Sequence, residues 1–208
     1  MDERKTILFL TGATVTFKPL LNHVVTPKFL RFLKVEGFSR IIIQYGNEKD
    51  AEGNSTSKHY FSQLLAEHNV METLDLDVLN ETNDKSITTL GNLSLKIEAF
   101  GFSDDINGHI RRADLVVSHG GTGSIMDALR LKKPLLVVTN DLLMEDHQKE
   151  IAGQLEHEGH LRALSNRQLP GGTLEELIKL FVQGKLKFTE LPEPPKGVLQ
   201  EIVNELTA

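Results

Sequence analysis

No cysteine occurs among the 208 residues, which excludes disulfides, Cys-type zinc sites and thiol catalysis. A long basic run is missing too. The net charge is −6, and a chain that grips nucleic acid non-specifically needs a basic face, so no nucleic-acid partner is expected. Long apolar runs are also lacking. A membrane-crossing helix takes about 20 apolar residues in succession. The chain opens on Asp2, Glu3, Arg4 and Lys5 and then offers only Ile7 to Leu10 as a continuous apolar stretch, too short even for a signal-peptide core. The expectation is a protein that sits in the cytosol or is held to a membrane by something else. Without a secretory signal, the N-x-S/T sequons at Asn54, Asn80 and Asn92 read as chance matches. What is present is an ordinary globular composition, 39% hydrophobic and 25% charged. The length suffices for one domain with a sizeable core and is too short for two ordinary ones.

Strand-like and helix-like segments alternate, which predicts a parallel sheet with crossover helices. Strands are expected at Ile7 to Leu10, Arg40 to Tyr45, Lys96 to Phe100, Leu115 to Val117 and Leu135 to Val138. The second of these carries Ile41, Ile42 and Ile43, β-branched residues suited to a core strand. Helices are expected at Pro19 to Val25, Pro27 to Glu36, Ser57 to His68, Asp104 to Ala113, Ser124 to Leu131, His147 to Glu158 and Thr173 to Val182. Residues 75–95 are polar and weakly periodic, and read as an irregular insertion. The fold class is therefore α/β: a Rossmann-like parallel sheet flanked by helices over residues 1–190. Residues 191–208 follow as a proline-rich connector and a terminal amphipathic helix, with Val198, Leu199, Ile202, Val203 and Leu206 on its apolar side.

The sharpest chemical signal is Ser118-His119-Gly120-Gly121-Thr122-Gly123-Ser124, between a strand and a helix. Ligands of open parallel sheets bind at the carboxyl ends of the strands. The glycines allow close backbone approach, and the helix that follows offers unpaired N–H groups and a partial positive charge. Thr122 and Ser124 add hydroxyls. Together these suit a diphosphate, although a tight turn without a ligand has the same spacing. Two standard nucleotide motifs do not fit. A P-loop needs Lys after its last glycine, where Ser124 stands. A dinucleotide fingerprint needs Gly or Ala where Met126 stands, so an ATPase or a dehydrogenase is disfavoured.

Three further groups face the same end of the predicted sheet. Asp127, one turn into the helix, offers a carboxylate for ribose hydroxyls, or simply complements the helix N-terminus. Asn140, His147 and Gln148 flank a loop after the next strand, where the alternative is a helix cap at Asp146. Thr11, Gly12 and Thr14 follow the first strand, where the alternative is a plain β-to-α turn. Asp75-Leu76-Asp77 resembles a metal-holding D-x-D, but alternating Leu/Asp reads more simply as a solvated strand face. The eight histidines show no metal spacing, and no G-x-S-x-G occurs.

Ala113 to Ser124, with Asp127-Ala128-Leu129 and Lys133-Pro134-Leu135, resembles the UDP-GlcNAc-binding segment of GT-B glycosyltransferases of the family 28 type. Thr11-Gly12-Ala13-Thr14 with Phe17, Gln44-Tyr45-Gly46, Gly101-Phe102, and Asn140 with His147-Gln148 follow in the order of that family. The likeness runs over roughly residues 5–165. Within the class the chain is similar to the small catalytic subunit of the eukaryotic UDP-GlcNAc transferase that adds the second GlcNAc to dolichol-linked GlcNAc.

The resemblance implies the C-terminal, donor-binding half of a GT-B enzyme and an inverting transfer from UDP-GlcNAc to GlcNAc-diphosphate-dolichol. No metal or other cofactor is implied. His119, Gly120, Gly121, Thr122, Gly123 and Ser124 would hold diphosphate and sugar, Asp127 the ribose, and Asn140, His147 and Gln148 the sugar pocket. An inverting transfer needs a base at the acceptor hydroxyl. GT-B enzymes usually carry it on the acceptor domain, for which this chain has no room. The base is therefore expected on a membrane-anchored partner at the cytosolic face of the endoplasmic reticulum, docked through residues 196–207, with His119 as the internal candidate. The alternatives are a self-sufficient UDP-GlcNAc enzyme such as an epimerase, and a non-catalytic nucleotide-sugar-binding module.

Overall fold

Apolar residues that alternate along each strand divide the interior into two layers. The computed structural model describes residues 5–81, 87–140 and 146–192; the side chains of residues 80, 81 and 146–149 lie outside the description. The strands are β1 (Lys5–Leu10), β2 (Phe38–Gln44), β3 (Asp77–Glu81), β4 (Ile87–Gly91), β5 (Lys96–Phe100), β6 (Leu115–Ser118), β7 (Leu135–Thr139) and β8 (Arg162–Ser165). They form one sheet in the order β3-β4-β5-β2-β1-β6-β7-β8. From β5 through β8 every neighbouring pair is parallel, while β3 and β4 run antiparallel at one edge.

The helices are α1 (Lys18–Val24), α2 (Pro27–Val35), α3 (Thr56–Glu67), the single turn α4 (Val70–Thr73), α5 (Ile106–Arg112), α6 (Thr122–Arg130), α7 (Asp146–His157) and α8 (Thr173–Val182). Ile7, Phe9, Ile41, Ile43, Val117 and Val138 point to one sheet face, where they meet Leu20, Leu21, Phe29, Leu33, Phe61 and Ile178 of α1, α2, α3 and α8. Leu8, Leu10, Ile42, Val116 and Val137 point to the other and meet Ile110, Ile125, Ala128 and Ala152 of α5, α6 and α7. The period of two along a strand produces this division. The inner parallel strands β1, β6 and β7 are buried on both sides, so each reads as a near-continuous apolar run.

The expected helices and core strands form, with ends displaced by a few residues. The helix expected from Ser124 starts earlier, at Thr122. One expectation is corrected: within residues 75–95, the described stretches 77–81 and 87–91 are regular strands and not an irregular insertion. β3 and β4 pair there as an antiparallel ribbon, and β4 pairs with β5. The ribbon lies at the sheet edge, where Leu90 is buried but Val78 and Leu79 are exposed, so little apolar periodicity marks it. The turn from β4 to β5 is built by Asn92. The Nδ2 group donates to the carbonyls of Leu74 at 2.9 Å and Asp75 at 3.0 Å, and Oδ1 accepts from the backbone N–H groups of Ser94 and Leu95. A side chain so committed leaves no amide for a glycan, in keeping with a chance sequon.

After α8 the chain crosses beneath the sheet. Phe188 packs on the first core and Leu191 on the second, and Thr189 N–H donates to the Gly159 carbonyl at 2.9 Å. The expected terminal helix at 196–207 lies outside the described residues. Among those described, no helix is long and apolar enough to cross a membrane.

Candidate functional site

The strand order places a switch point between β1 and β6. The chain builds outward from β1 through β2 to β5, then returns to β6 and builds the other way through β7 to β8. At such a point the two flanking turns diverge and open a crevice beyond the carboxyl ends of the strands. A cleft of about 440 Å³ occupies it, within the range that takes small ligands. One wall is the loop from Gly12 to Phe17. The other is His119, Gly121, Gly123 and Ser124, with Asn140 at the end of β7.

The first wall is pinned. Gly12 has φ 112, and a Cβ there would lie 2.1 Å from the Val15 carbonyl oxygen, so the turn requires glycine. Thr11 is buried; its hydroxyl donates to the Gln44 carbonyl at 2.6 Å. Thr16 Oγ1 donates to the Tyr45 carbonyl at 2.7 Å and lies 2.7 Å from Ser57 Oγ. A hydroxyl has one proton, so Ser57 donates back to Thr16 while accepting from Glu48 N–H at 2.9 Å. The circuit closes where Glu48 Oε2 accepts from Thr16 N–H at 3.0 Å. These bonds tie the loop after β1 to the loop after β2 and hold the wall in place before any ligand arrives.

The second wall is the start of α6. Gly121 is its N-cap and provides no side-chain oxygen, and the first turn contains no acidic residue. The leading N–H groups are thus left without a side-chain cap, at the positive end of the helix dipole. Beside them lies His119, whose Nδ1 is 3.1 Å from the Leu10 carbonyl oxygen. A carbonyl only accepts, so Nδ1 carries the proton. Nε2 faces Gly121 and the Gly12 loop: a Cβ on Gly121 would be 2.6 Å from it, and one on Gly12 would be 3.9 Å away. Burial pushes the His119 imidazole below its ordinary range, partly opposed by the hydrogen bond to Leu10. The resting ring is therefore neutral near pH 7, with the Nε2 lone pair turned to the cleft.

Of the residues singled out from sequence, Gly12, Thr14, His119, Gly121, Gly123, Ser124 and Asn140 line the cleft. Gly120 and Thr122 belong to the same turn but do not line it, and Thr122 is exposed. Thr11 acts as a tether between β1 and β2, and not as part of the wall. Asp127 is half-buried farther along α6, outside the lining. His147 and Gln148 fall in the first turn of α7, with side chains outside the described residues, as are residues 141–145. Ala13, Val15, Thr16 and Phe17 also line the cleft; they belong to the candidate stretch after the first strand, in which only Thr11, Gly12 and Thr14 were given a role. The Thr14-x-Thr16 spacing was the available signal, but the Thr16 hydroxyl is tied to Tyr45 and Ser57, contacts that no local spacing announces.

The fold is that of a glycosyltransferase domain, as comparison with known proteins shows. The chain belongs to the family described as glycosyltransferase family 28 C-terminal domain, which matches residues 6–201. Its relatives include the UDP-N-acetylglucosamine transferase subunit ALG13 of Debaryomyces hansenii, 36% identical over 193 residues that cover 90% of this chain and 91% of that protein. The protein of the same name from Saccharomyces cerevisiae is 36% identical over 163 residues, 76% of this chain and 77% of its own length. Among solved structures, the NMR solution structure of ALG13 superposes with a TM-score of 0.62 at 28% identity, covering 99% of this chain and 98% of that one. Acinetobacter baumannii MurG shares the fold: TM-score 0.60 at 16% identity, with all of this chain spanning 50% of that one.

Proposed function

We propose that this chain is the donor-binding, catalytic subunit of a heteromeric inverting glycosyltransferase that moves GlcNAc from UDP-GlcNAc to GlcNAc-diphosphate-dolichol. The observation that carries the reading is the α6 N-terminus, built from glycine, free of a side-chain cap and opening on the switch-point cleft. Relatives named as subunits of a UDP-N-acetylglucosamine transferase support it. The donor's diphosphate lies on the α6 N–H groups, where fixed dipoles stabilise the charge that develops as UDP leaves. Thr14, Ser124 and Asn140 bond the diphosphate and sugar, and Asp127, His147 and Gln148 complete the ribose and sugar contacts. No resident metal is needed, because backbone dipoles supply the charge stabilisation; transfer should persist in EDTA.

The acceptor base and most of the acceptor site belong to a membrane-anchored partner at the cytosolic face of the endoplasmic reticulum. Residues 196–207 dock on that partner through their apolar stripe. The test is reconstitution: chain plus partner in membranes, labelled UDP-GlcNAc, and GlcNAc-diphosphate-dolichol. The reading expects transfer only with both components, and donor binding without transfer after truncation at residue 192. Turnover of UDP-GlcNAc by the lone chain would favour a self-sufficient enzyme. Donor binding with no transfer beside the partner would favour a non-catalytic module.

A further inference from the structure

An exposed valine stands in the wall of a cleft that is otherwise polar. Val15 keeps 62% of its surface open to solvent, although Thr16 and Phe17 after it are buried, as are Thr11 and Gly12 at the start of the same loop. Among the described lining residues it is the one large apolar side chain left exposed. We propose that Val15 receives the methyl of the donor's N-acetyl group and so sets the preference of the cleft for an N-acetylated sugar over its 2-hydroxyl counterpart. The inference rests on the donor-site reading above and names the side chain that selects among donors at that site.

The loop holds this valine in place. Phe17 N–H donates to the Thr11 carbonyl at 2.6 Å and closes the loop at its base. On either side of Val15 the backbone is bound to the loop after β2: Asn47 N–H donates to the Thr14 carbonyl at 3.3 Å, and Thr16 N–H donates to Glu48 Oε2 at 3.0 Å. The tight turn at Gly12, where a Cβ would lie 2.1 Å from the Val15 carbonyl oxygen, fixes the remaining end. The side chain is branched at Cβ and stiff about χ1. Its methyls are therefore presented at set positions and lose little freedom when a ligand covers them.

Chemistry divides the lining between the parts of the donor. The diphosphate and the sugar hydroxyls form hydrogen bonds, and the α6 N–H groups with Thr14, Ser124 and Asn140 answer them. The acetamido methyl is the one methyl group on UDP-GlcNAc and forms none. Apolar surfaces gain by leaving water together, and Val15 is the surface available to it. A 2-hydroxyl brought to the same place loses water against valine and finds no partner, which disfavours it. Covering one methyl corresponds to a factor of about four in affinity, and the stranded hydroxyl widens the margin between the two sugars.

The experiment titrates the full chain, Val15→Thr and Val15→Ala with UDP-GlcNAc, UDP-glucose and UDP by calorimetry. Threonine keeps the branching of valine and exchanges one methyl for a hydroxyl. The expected result is an affinity for UDP-GlcNAc about three- to tenfold lower in each variant, with UDP-glucose and UDP changed by less than about twofold. The preference between the two sugars then narrows by the same factor. Melting temperatures should hold within about 2 °C, because a substitution at an exposed position changes stability little. A preference that stays the same in both variants overturns the proposal and leaves the donor site standing. Equal losses for all three ligands also overturn it, since Val15 would then serve the nucleotide they share. Failure of the unaltered chain to bind either UDP or UDP-GlcNAc overturns the donor-site reading together with the inference.

Discussion

Replacing Gly121 by Ala separates the integrity of the fold from the integrity of the cleft. Gly121 has φ −65 and ψ 127, a conformation open to any residue, so alanine adds no backbone strain. Its Cβ, however, would lie 2.6 Å from His119 Nε2 and 2.9 Å from Cε1, closer than atoms approach, so the imidazole must move. Losing glycine at the N-cap costs the helix up to about 1 kcal/mol. At roughly 2–4 °C per kcal/mol for a chain of this size, the melting temperature should fall by only a few degrees. On the proposed donor site, the displaced ring costs the diphosphate a hydrogen bond, worth about 1.5–3 kcal/mol for a charged group, so donor affinity should fall by roughly ten- to hundredfold. Gly123→Ala controls for the helix: a Cβ there meets nothing within 4 Å, and alanine in a helical turn stabilises by about 0.5–1 kcal/mol; because Gly123 lines the cleft, its melt alone serves as the control. Thermal melts and UDP-GlcNAc titrations of the three proteins check both halves. A Gly121→Ala protein that melts within a few degrees of wild type yet binds donor with undiminished affinity would refute the placement of His119 on the diphosphate.

Asn92→Ala should cost about 2–3 kcal/mol, because the turn between β4 and β5 loses its side-chain bonds to Leu74, Asp75, Ser94 and Leu95; denaturant unfolding measures it, and an unchanged midpoint would contradict the role of Asn92. Gly12→Ala should be worse for the site than for the core. The left-handed φ and the 2.1 Å approach to Val15 cost at least about 1–3 kcal/mol and reshape the wall, so donor binding should vanish while far-UV circular dichroism persists. Stability should fall in two steps toward acid. Burial, with the Arg112 charge, holds His109 below the ordinary imidazole range, and burial does the same for His119. The unfolded chain therefore binds more protons below about pH 6.5, and stability drops as pH falls through that window. Burial alone would raise Glu98, but Lys96, Arg112 and Arg40 outweigh it and hold the carboxyl below its usual range. Its contribution is complete above the unfolded carboxylate value and is lost as pH falls through the lower native one. Melting temperature against pH should show both steps, with the first reduced in His109→Gln.

Where one segment supplied both halves of an element, the sequence was readable. Ile41, Ile42 and Ile43 announce a doubly buried strand, and the glycines from 120 to 123 announce a turn between strand and helix. The start of α6 was hidden because glycine at 121 and 123 looks like loop, although Gly121 only caps the helix and Gly123 lies within it. The strand Arg162–Ser165 has four residues at a sheet edge with Leu164 alone buried, too brief for any period to show. β3 and β4 escaped for a related reason: β3 exposes Val78 and Leu79, and the ladder of β4 with β5 pairs Thr89 with Glu98, a polar couple that no apolar pattern marks. In the site, the chemistry-bearing turn was legible because backbone and local spacing build it. The tether at Thr11 and the Thr16–Ser57–Glu48 circuit were not, since each depends on contacts more than 30 residues apart.

The central claim is that a nucleotide sugar binds between the loop after β1 and the N-terminus of α6. Titrating the labelled chain with UDP-GlcNAc and following backbone amide resonances tests it most directly. The account predicts shifts concentrated at residues 12–17 and 119–124, with the amides of Thr122, Gly123 and Ser124 moving downfield as they meet phosphate oxygens. Silence at millimolar donor, or shifts gathered elsewhere on the sheet, would contradict it.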